Sequence, residues 1–391
     1  MSALRMWLRV LAIVFAVALI AAACGDDDDG AAETTDEADA GEDIEAETPE
    51  EETPEEEAEE PEAEEGQAEA PEEEAEAEPE SSDAAPLSVA LLIGGPRNDG
   101  GFYQAMVDGL EGAAAADGAM EVTVIEQIAE GGDAALEAAV ENAASSGDFD
   151  LIVAHGFDLV PGVARYAPDY PEQAFAASLP IEGADNVGVY LSAFHETGYN
   201  AGFLAAQGTK GGKVAFMGGP GLDFELQAEH GFRQAIEQYA PGTEVEVVYT
   251  GTFEDPQLAQ ETATQLFADG VDSLWNQQAA GQGGVYQACA EAGAAEGTVA
   301  CFGNSPYSVD VSADVVLAST QTSYDILVPI WAERLRSGTW GPDIDLLNIA
   351  NGGTSVTEAT AAGEALLPDL STAIADFKAG AADIVVEPLG Q

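Results

Sequence analysis

The chain has 391 residues and carries 74 Asp and Glu against 10 Lys and Arg, a formal net charge of −64. Binding a phosphate backbone needs clustered cations, so this balance excludes nucleic acid as a partner. The length allows two or three domains, and the acid is spread unevenly: residues 26–83 hold 31 of the 74 acidic side chains.

Arg5 and Arg9 precede an apolar run from Val10 to Ala23, followed by Cys24 and Gly25. A basic start, a short apolar segment and small residues before the cut describe a secretory signal over residues 1–24. Cys24 directly after Ala21-Ala22-Ala23 resembles a bacterial lipobox, in which that Cys carries the lipid and becomes the mature N-terminus. The alternative is an uncleaved membrane anchor, although the run is short for a span of about 20 residues. Both put the remainder on the extracytoplasmic face of the cell membrane. Residues 25–85 have no aromatic and almost no aliphatic side chain. They are read as a disordered, extended acidic Glu/Pro linker, because burial there cannot offset the entropy of ordering. From residue 97 onward only eight Lys and Arg remain, and so acidic a domain suits a salt-rich habitat.

An apolar run, Leu87 to Ile93, then reads as a strand buried on both faces. A Gly94-Gly95-Pro96 break and a polar turn lead into a helical pattern with Phe102, Ala105, Met106, Gly109 and Leu110 at three- and four-residue spacing. Strand, glycine-rich turn and helix open a doubly wound α/β sheet, whose ligands sit at the carboxyl ends of the strands. Asn98, Asp99, Phe102 and Tyr103 lie at that mouth; the alternative is that Asn98 and Asp99 cap the helix and Phe102 fills the core.

The alternation continues with strands at 120–126, 149–154, 173–177 and 186–191, and helices at 133–144 and 159–166. A second series starts with a helix at 196–207. Strands follow at 213–217, 244–249, 271–275, 298–302, 315–320 and 345–350, with helices at 225–239, 256–268, 283–293 and 325–337. Two α/β series of similar length predict two lobes with a cleft between them. The expected division is 86–193 with 321–344 for the N-terminal lobe and 194–320 with 345–391 for the C-terminal lobe. Cys289 falls on a helix and Cys301 on the next strand, so they are either a disulfide in an oxidising compartment or two buried thiols.

A binding cleft needs aromatic faces and a few fixed hydrogen-bond groups. Phe102, Tyr103, Phe157, Phe224 and Trp275 are candidates for stacking on a flat ring. Asn98, Asp99, His155, Asn276, Gln277, Gln278, Asn304 and Gln321 are candidate donors and acceptors. Three consecutive amides after Trp275 are costly if buried and unpaired, which points to a site; a solvated loop is the alternative. His155, His195 and His230 lack metal-ligand spacing, and no nucleophile elbow or phosphate loop is present. No enzyme, metal or cofactor is therefore expected.

Several segments match one family in order and spacing. Asp99-Gly100-Gly101-Phe102-Tyr103-Gln104 stands where that family has Asp-Lys-Ser-Phe-Asn. Asp150 to Phe157 matches its strand ending in Gly-Phe or Gly-Tyr, and Tyr170-Pro171 with Phe175-Ala176 match the Pro and Phe-Ala that follow. Tyr199-Asn200-Ala201-Gly202 takes the place of Tyr-Leu-Ala-Gly, and Lys213 to Gly219 with Gly231-Phe232 fit the next strand and helix. Tyr249-Thr250-Gly251-Thr252-Phe253-Glu254-Asp255-Pro256 is close to Tyr-x-Gly-Ser-Phe-Asp-Asp-Pro. From about Leu87 to Leu335 the chain thus resembles the basic membrane protein family, substrate-binding lipoproteins of ABC importers that include purine-nucleoside receptors.

The resemblance implies a type I periplasmic binding protein: two Rossmann-like lobes with parallel sheets, a ligand cleft between them and three crossovers. It implies a monomer, anchored to the membrane through Cys24, that captures a small polar ligand, with purine nucleoside the leading class, and delivers it to an ABC permease. An extracellular sensor presenting its closed form to a membrane signalling partner is the alternative. Three charged contacts of the nucleoside receptors are absent. Ser178-Leu179 stands where they have an aspartate, the ribose-binding aspartate falls near Phe302 with Asn304 the nearest polar residue, and a lysine aligns with Thr322. A helix-start Phe aligns with Ala228, with Phe224 nearby.

Overall fold

A computed structural model describes residues 86–390; the signal segment, Cys24 and the acidic segment 25–85 lie outside the described residues. The chain alternates strand and helix: β1 (Leu87–Ile93), α1 (Phe102–Asp117), β2 (Met120–Ile125), α2 (Asp133–Ser146), β3 (Leu151–His155), α3 (Val160–Tyr166), β4 (Ala174–Ala177) and β5 (Val187–Ser192). A second series runs α4 (Phe194–Gly208), β6 (Lys213–Gly218), α5 (Asp223–Tyr239), β7 (Glu244–Tyr249), α6 (Pro256–Ala268), β8 (Val271–Asn276), α7 (Gln282–Glu291), β9 (Ala300–Gly303), α8 (Ser308–Val311) and β10 (Val316–Thr322). The last elements are α9 (Leu327–Ser337), β11 (Ile344–Leu347), β12 (Thr354–Val356), α10 (Ala361–Leu366) and α11 (Leu370–Ala379).

The strands form two six-stranded sheets, in the orders β11-β5-β4-β3-β1-β2 and β12-β10-β9-β8-β6-β7. All pairs are parallel except β12 on β10. Such sheets need cover on both faces, and the inner strands β1, β3 and β4 are correspondingly apolar, whereas the edge strands β2 and β7 carry Glu on their open sides. Met106 and Leu110 of α1 and Leu327 and Trp331 of α9 cover one face of the first sheet. Leu136 and Val140 of α2 and Val163 of α3 cover the other. The second sheet lies between α4, α5 and α11 on one side and α6 and α7 on the other.

The chain crosses between the lobes three times, after β5, β10 and β11, and the crossing segments are bonded to one another. Ala193 N donates to Leu347 O at 2.8 Å, Ser323 N to Gly353 O at 3.0 Å, and Ile349 N to a Glu196 carboxylate oxygen at 2.6 Å. The lobe boundaries differ from expectation by a few residues. β10 runs to Thr322 in the second sheet, and β11 is an edge strand of the first sheet, which keeps the chain there through Leu347. Asp345 explains the second shift: it accepts both guanidinium arms of Arg334, at 2.7 and 2.9 Å, and Trp331 Nε1 at 3.1 Å, tying β11 to α9.

Two details of the second lobe position the cleft. At the α4–α5 crossing a Cβ on Gly198 would fall 1.8 Å from Ala228 O, and one on Gly231 1.7 Å from His195 O. The two helices therefore meet backbone to backbone, which sets Phe194 and Phe224 at their N-termini side by side. Cys289 of α7 and Cys301 of β9 form a disulfide with Cα atoms 6.5 Å apart, which decides between the two readings of that pair. Among the described residues no helix is long and apolar enough to cross a membrane.

Candidate functional site

The carboxyl ends of the two sheets face each other. Ser305, after β9, donates from Oγ to Gly100 O, after β1, at 2.8 Å. Tyr307 donates its hydroxyl to Asp108 Oδ2 of α1 at 2.5 Å. Phe157, after β3, confronts Phe224 of the other lobe with ring centroids 6.2 Å apart.

On the first lobe the turn after β1 is held by Asp99. Its carboxylate accepts the N–H groups of Gly101 (2.9 Å), Tyr103 (3.1 Å) and Gln104 (3.0 Å), the orphan donors at the start of α1. Asp99 is thus the helix cap, the local alternative to a ligand contact, and Asn98 is exposed beside it. The cap projects Phe102 outward, 45% exposed, as Gly156 does for Phe157, 46% exposed. Gly156 has φ 137°, and a Cβ there would lie 2.3 Å from Asp158 Oδ1, so only glycine lets the chain turn out of β3 with that carboxylate against it. Burial raises the Asp158 carboxyl above its ordinary range. Burial, then Asp158, Asp99 and Glu254 of the opposite lobe, push the Tyr103 phenol up to about 12.

His155 does not reach the cleft. It is fully buried beneath Phe102, with ring centroids 3.9 Å apart and planes 21° from parallel. Burial, only partly opposed by the Phe102 carbonyl, pushes its imidazole down to about 3, so the ring is neutral at physiological pH.

On the second lobe Phe224 packs against Phe194 (5.1 Å) and Phe253 (6.2 Å). Phe253 belongs to the Thr-Gly-Thr-Phe-Glu-Asp-Pro turn, and sequence reasoning quoted that turn without choosing its ring. The buried Glu225 carboxylate gathers the N–H groups of Gly219, Gly221 and Leu222 at 2.5, 2.8 and 2.9 Å, and so fixes the loop that delivers Phe224. Nothing in the local sequence marked Glu225, Ser305 or Tyr307.

Trp275 is corrected outright. It is 1% exposed, packs in the core with its ring tilted 42° to that of Phe216 and donates Nε1 to Gly303 O at 2.9 Å, because its side chain points from β8 toward α4 and away from the strand end. Two of the following amides are also structural. Asn276 contacts Tyr286 OH (3.4 Å) and accepts from Gln278 N (3.2 Å), while Gln278 Nε2 donates to Gly218 O (2.8 Å). Asn304 Nδ2 donates to Gln278 O at 2.7 Å, locking the same loop. Gln277 bonds Met217 O through its backbone N–H, and its Oε1, like that of Gln278, is buried without a partner. A buried orphan acceptor costs about 1–3 kcal/mol, which a ligand donor would recover. Ser178 Oγ, after β4, is another such atom. Gln321 is elsewhere, in a groove beside Asp108, Tyr307 and Tyr324 between α1 and α9. Of the candidates, the fold brings together Phe102, Tyr103, Phe157 and Phe224 around the cleft. It does not bring Trp275, Asn276 or Gln321 there, and Gln278 is tied to its loop through Nε2.

Residues 87–357 match the Bmp family model, described as ABC transporter substrate-binding protein PnrA-like. The chain belongs to this family. Its members are solute-binding proteins rather than enzymes. A purine-binding protein of Brucella abortus is 28% identical over 189 residues, 48% of this chain and 53% of that protein. An ABC transporter nucleoside-binding protein of Lactococcus lactis is 27% identical over 34% of this chain and 38% of its own. The chain thus spans about half the length, or less, of these curated relatives. A solute-binding protein of an ABC transporter system from Conexibacter woesei superposes with a TM-score of 0.65 at 29% identity, over 77% of this chain and 99% of that one. A solute-binding protein from Aeropyrum pernix, at 24% identity and a TM-score of 0.60, shares the fold. The Bmp assignment agrees with the resemblance read from the motifs, and the two-lobe α/β fold with the architecture it implied.

Proposed function

We propose that the chain is the lipid-anchored receptor of an ABC importer, closing its two lobes on a purine nucleoside and delivering it to a membrane permease. The observation that carries the ligand class is an aromatic cleft without a cation. Phe157 faces Phe224, which packs on Phe253, and Phe102 stands exposed on the first lobe, a set of rings suited to a flat base. Each of the eight Lys and Arg in the described residues is committed to an acceptor on the lobes. Arg97, nearest the cleft in sequence, turns to Glu111, and the others take Glu137, Gly297 O, Glu244, Glu229, Asp345, Asp117 and Glu358. A phosphate or carboxylate entering there would meet Asp158 and Glu254 and no counter-charge. That favours a neutral nucleoside over a nucleotide, and similarity to a purine-binding and a nucleoside-binding protein supports the same class. Leu179 and Phe302, which replace charged residues of the nucleoside receptors, point to sugar contacts made by neutral groups, with the Gln277 and Ser178 oxygens as candidate acceptors.

Calorimetric titration with adenosine, guanosine and AMP tests the reading. A purine nucleoside should bind and AMP should not. AMP binding as tightly as adenosine, or no purine binding at all, would overturn it. Incorporation of labelled fatty acid into the chain, abolished by Cys24→Ser, tests the anchor.

A further inference from the structure

Every polar atom of the His155 side chain is accounted for, and both of its ring nitrogens lead toward Phe102 or away from it in one defined sense. Nε2 lies 3.1 Å from Phe102 O, a carbonyl that can only accept, so Nε2 carries the proton. Nδ1 is then the bare nitrogen. It lies 2.8 Å from Tyr190 OH, whose alternative acceptor, Ala154 O, is 3.4 Å away; the hydroxyl therefore donates to Nδ1. The tautomer is fixed from both ends. The faces of the ring are equally constrained: Phe102 stacks on it, and Tyr324 meets it edge-on at 5.1 Å. Tyr324 opens the crossing segment that follows β10 and also packs edge-on against Tyr190 at 6.2 Å.

We propose that His155 is a positioning residue: through its Nε2–H bond to the Phe102 carbonyl and its stack beneath the Phe102 ring, it holds that ring as the fixed ligand platform of the first lobe. A ring on the first residue of a helix, 45% exposed, has besides the imidazole only the edge-on Tyr103 ring, 5.3 Å away, among its ring contacts. The exposed face of Phe102 is presented to the cleft while its other face rests on the imidazole, so the ring loses little rotational freedom when a ligand lands on it. His155 never touches the ligand; its effect passes through Phe102 alone. The ligand arm of the test rests on the nucleoside reading, and the other arm does not.

His155→Leu keeps approximate volume but removes both hydrogen bonds and the flat face. It should raise the Kd for adenosine on the order of tenfold. Phe102→Ala should do the same, and the double variant should bind no worse than Phe102→Ala alone. Equal, additive losses in both backgrounds would mean that His155 acts only through general stability and would overturn the proposal. The ligand-free arm is a crystal structure of His155→Leu. The Phe102 ring should leave its present orientation or take several, and an unchanged, well-ordered ring overturns the proposal whatever adenosine does. Tyr190→Phe is the milder second variant, should His155→Leu fold poorly. It should loosen the tautomer, seen in the imidazole 15N spectrum, and raise Kd two- to threefold in the presence of Phe102 but not in its absence. If wild type binds no purine, the nucleoside reading fails, while the ring orientation still decides this inference.

Discussion

Tyr307→Phe removes one oxygen atom and, with it, one of the two hydrogen bonds that, among the described residues, join the lobes away from the crossing segments. The Tyr307 hydroxyl donates to Asp108 Oδ2 at 2.5 Å, while Ser305 to Gly100 is left untouched. These bonds exist only when the lobes are this close, so their free energy belongs to the closed form alone. A hydrogen bond to a charged group is worth about 1.5–3 kcal/mol when desolvated. Asp108 is exposed and Tyr307 half-buried, and on opening both are hydrated again, which reduces the differential to roughly 0.5–1.5 kcal/mol. The closed population should therefore fall about two- to tenfold, and ligand affinity with it. Stopped-flow release of adenosine should show most of the change in the dissociation rate, because the bond forms after encounter. Asp108→Asn, which keeps an acceptor without the charge, should lose less. Unchanged affinity and release in Tyr307→Phe would refute the idea that this contact holds the cleft shut.

Trp275→Ala should cost about 3–5 kcal/mol of stability, since it empties a core site and strips Gly303 O of its donor; the folded fraction should bind normally, and a normal melting temperature with lost affinity would return Trp275 to the site. His155 is held at about 3 in the fold against 6.5 unfolded, so below pH 6.5 the unfolded chain takes up the proton first. Its contribution to stability is complete above pH 6.5 and is lost as pH falls toward 3; His155→Leu should flatten that limb of a melting-temperature profile, and an unchanged slope would contradict the burial argument. Asp158 has the opposite sign, since its folded pKa is raised and stability is lost as pH rises through it; Asp158→Asn should be more stable than wild type at pH 7, with the gap closing on acidification.

Much of this molecule was legible in the sequence because parallel strands are short apolar runs between glycine-rich turns. β1, β2, β7 and α6 fall within a residue of where their patterns end. The same property hid Trp275. In a sheet covered on both faces, period-two alternation no longer separates inside from outside: Leu274 faces the α6–α7 cluster and Trp275 the α4–α5 cluster, and both are apolar. Proximity to a strand's carboxyl end suggested a cleft position, and the direction of a single side chain decided otherwise. The amide run misled for a related reason, since loop-locking amides and ligand-binding amides have the same composition. The strand expected from Asp345 onward falls to the first lobe because Asp345 is tied to Arg334 and Trp331, partners visible only once α9 is docked. Ser305 and Tyr307 act across lobes on residues about 200 positions away, which no local pattern encodes.

The lobes themselves resist closure. The first, residues 86–192 and 323–347, carries 21 acidic against 4 basic side chains, and the second, residues 193–322 and 348–390, carries 22 against 4. Closing moves two strongly negative bodies together around a cleft that holds Asp158 and Glu254. The Debye length is about 10 Å at 0.1 M ionic strength and about 3 Å at 1 M, so the repulsion added on closing is on the order of 1 kcal/mol in dilute buffer and close to nothing in concentrated salt. A neutral ligand brings no charge of its own to be screened. Its affinity should therefore rise, by roughly two- to tenfold, as potassium chloride is raised from 0.1 to 1 M. Screening of an ion pair between ligand and protein would act the other way. Isothermal titration with adenosine across that range separates the two cases, and a matched scattering series should show the closed fraction rising with salt. An affinity that falls with salt would mean that the ligand is held by opposite charge, and the cation-free cleft would then be the wrong site.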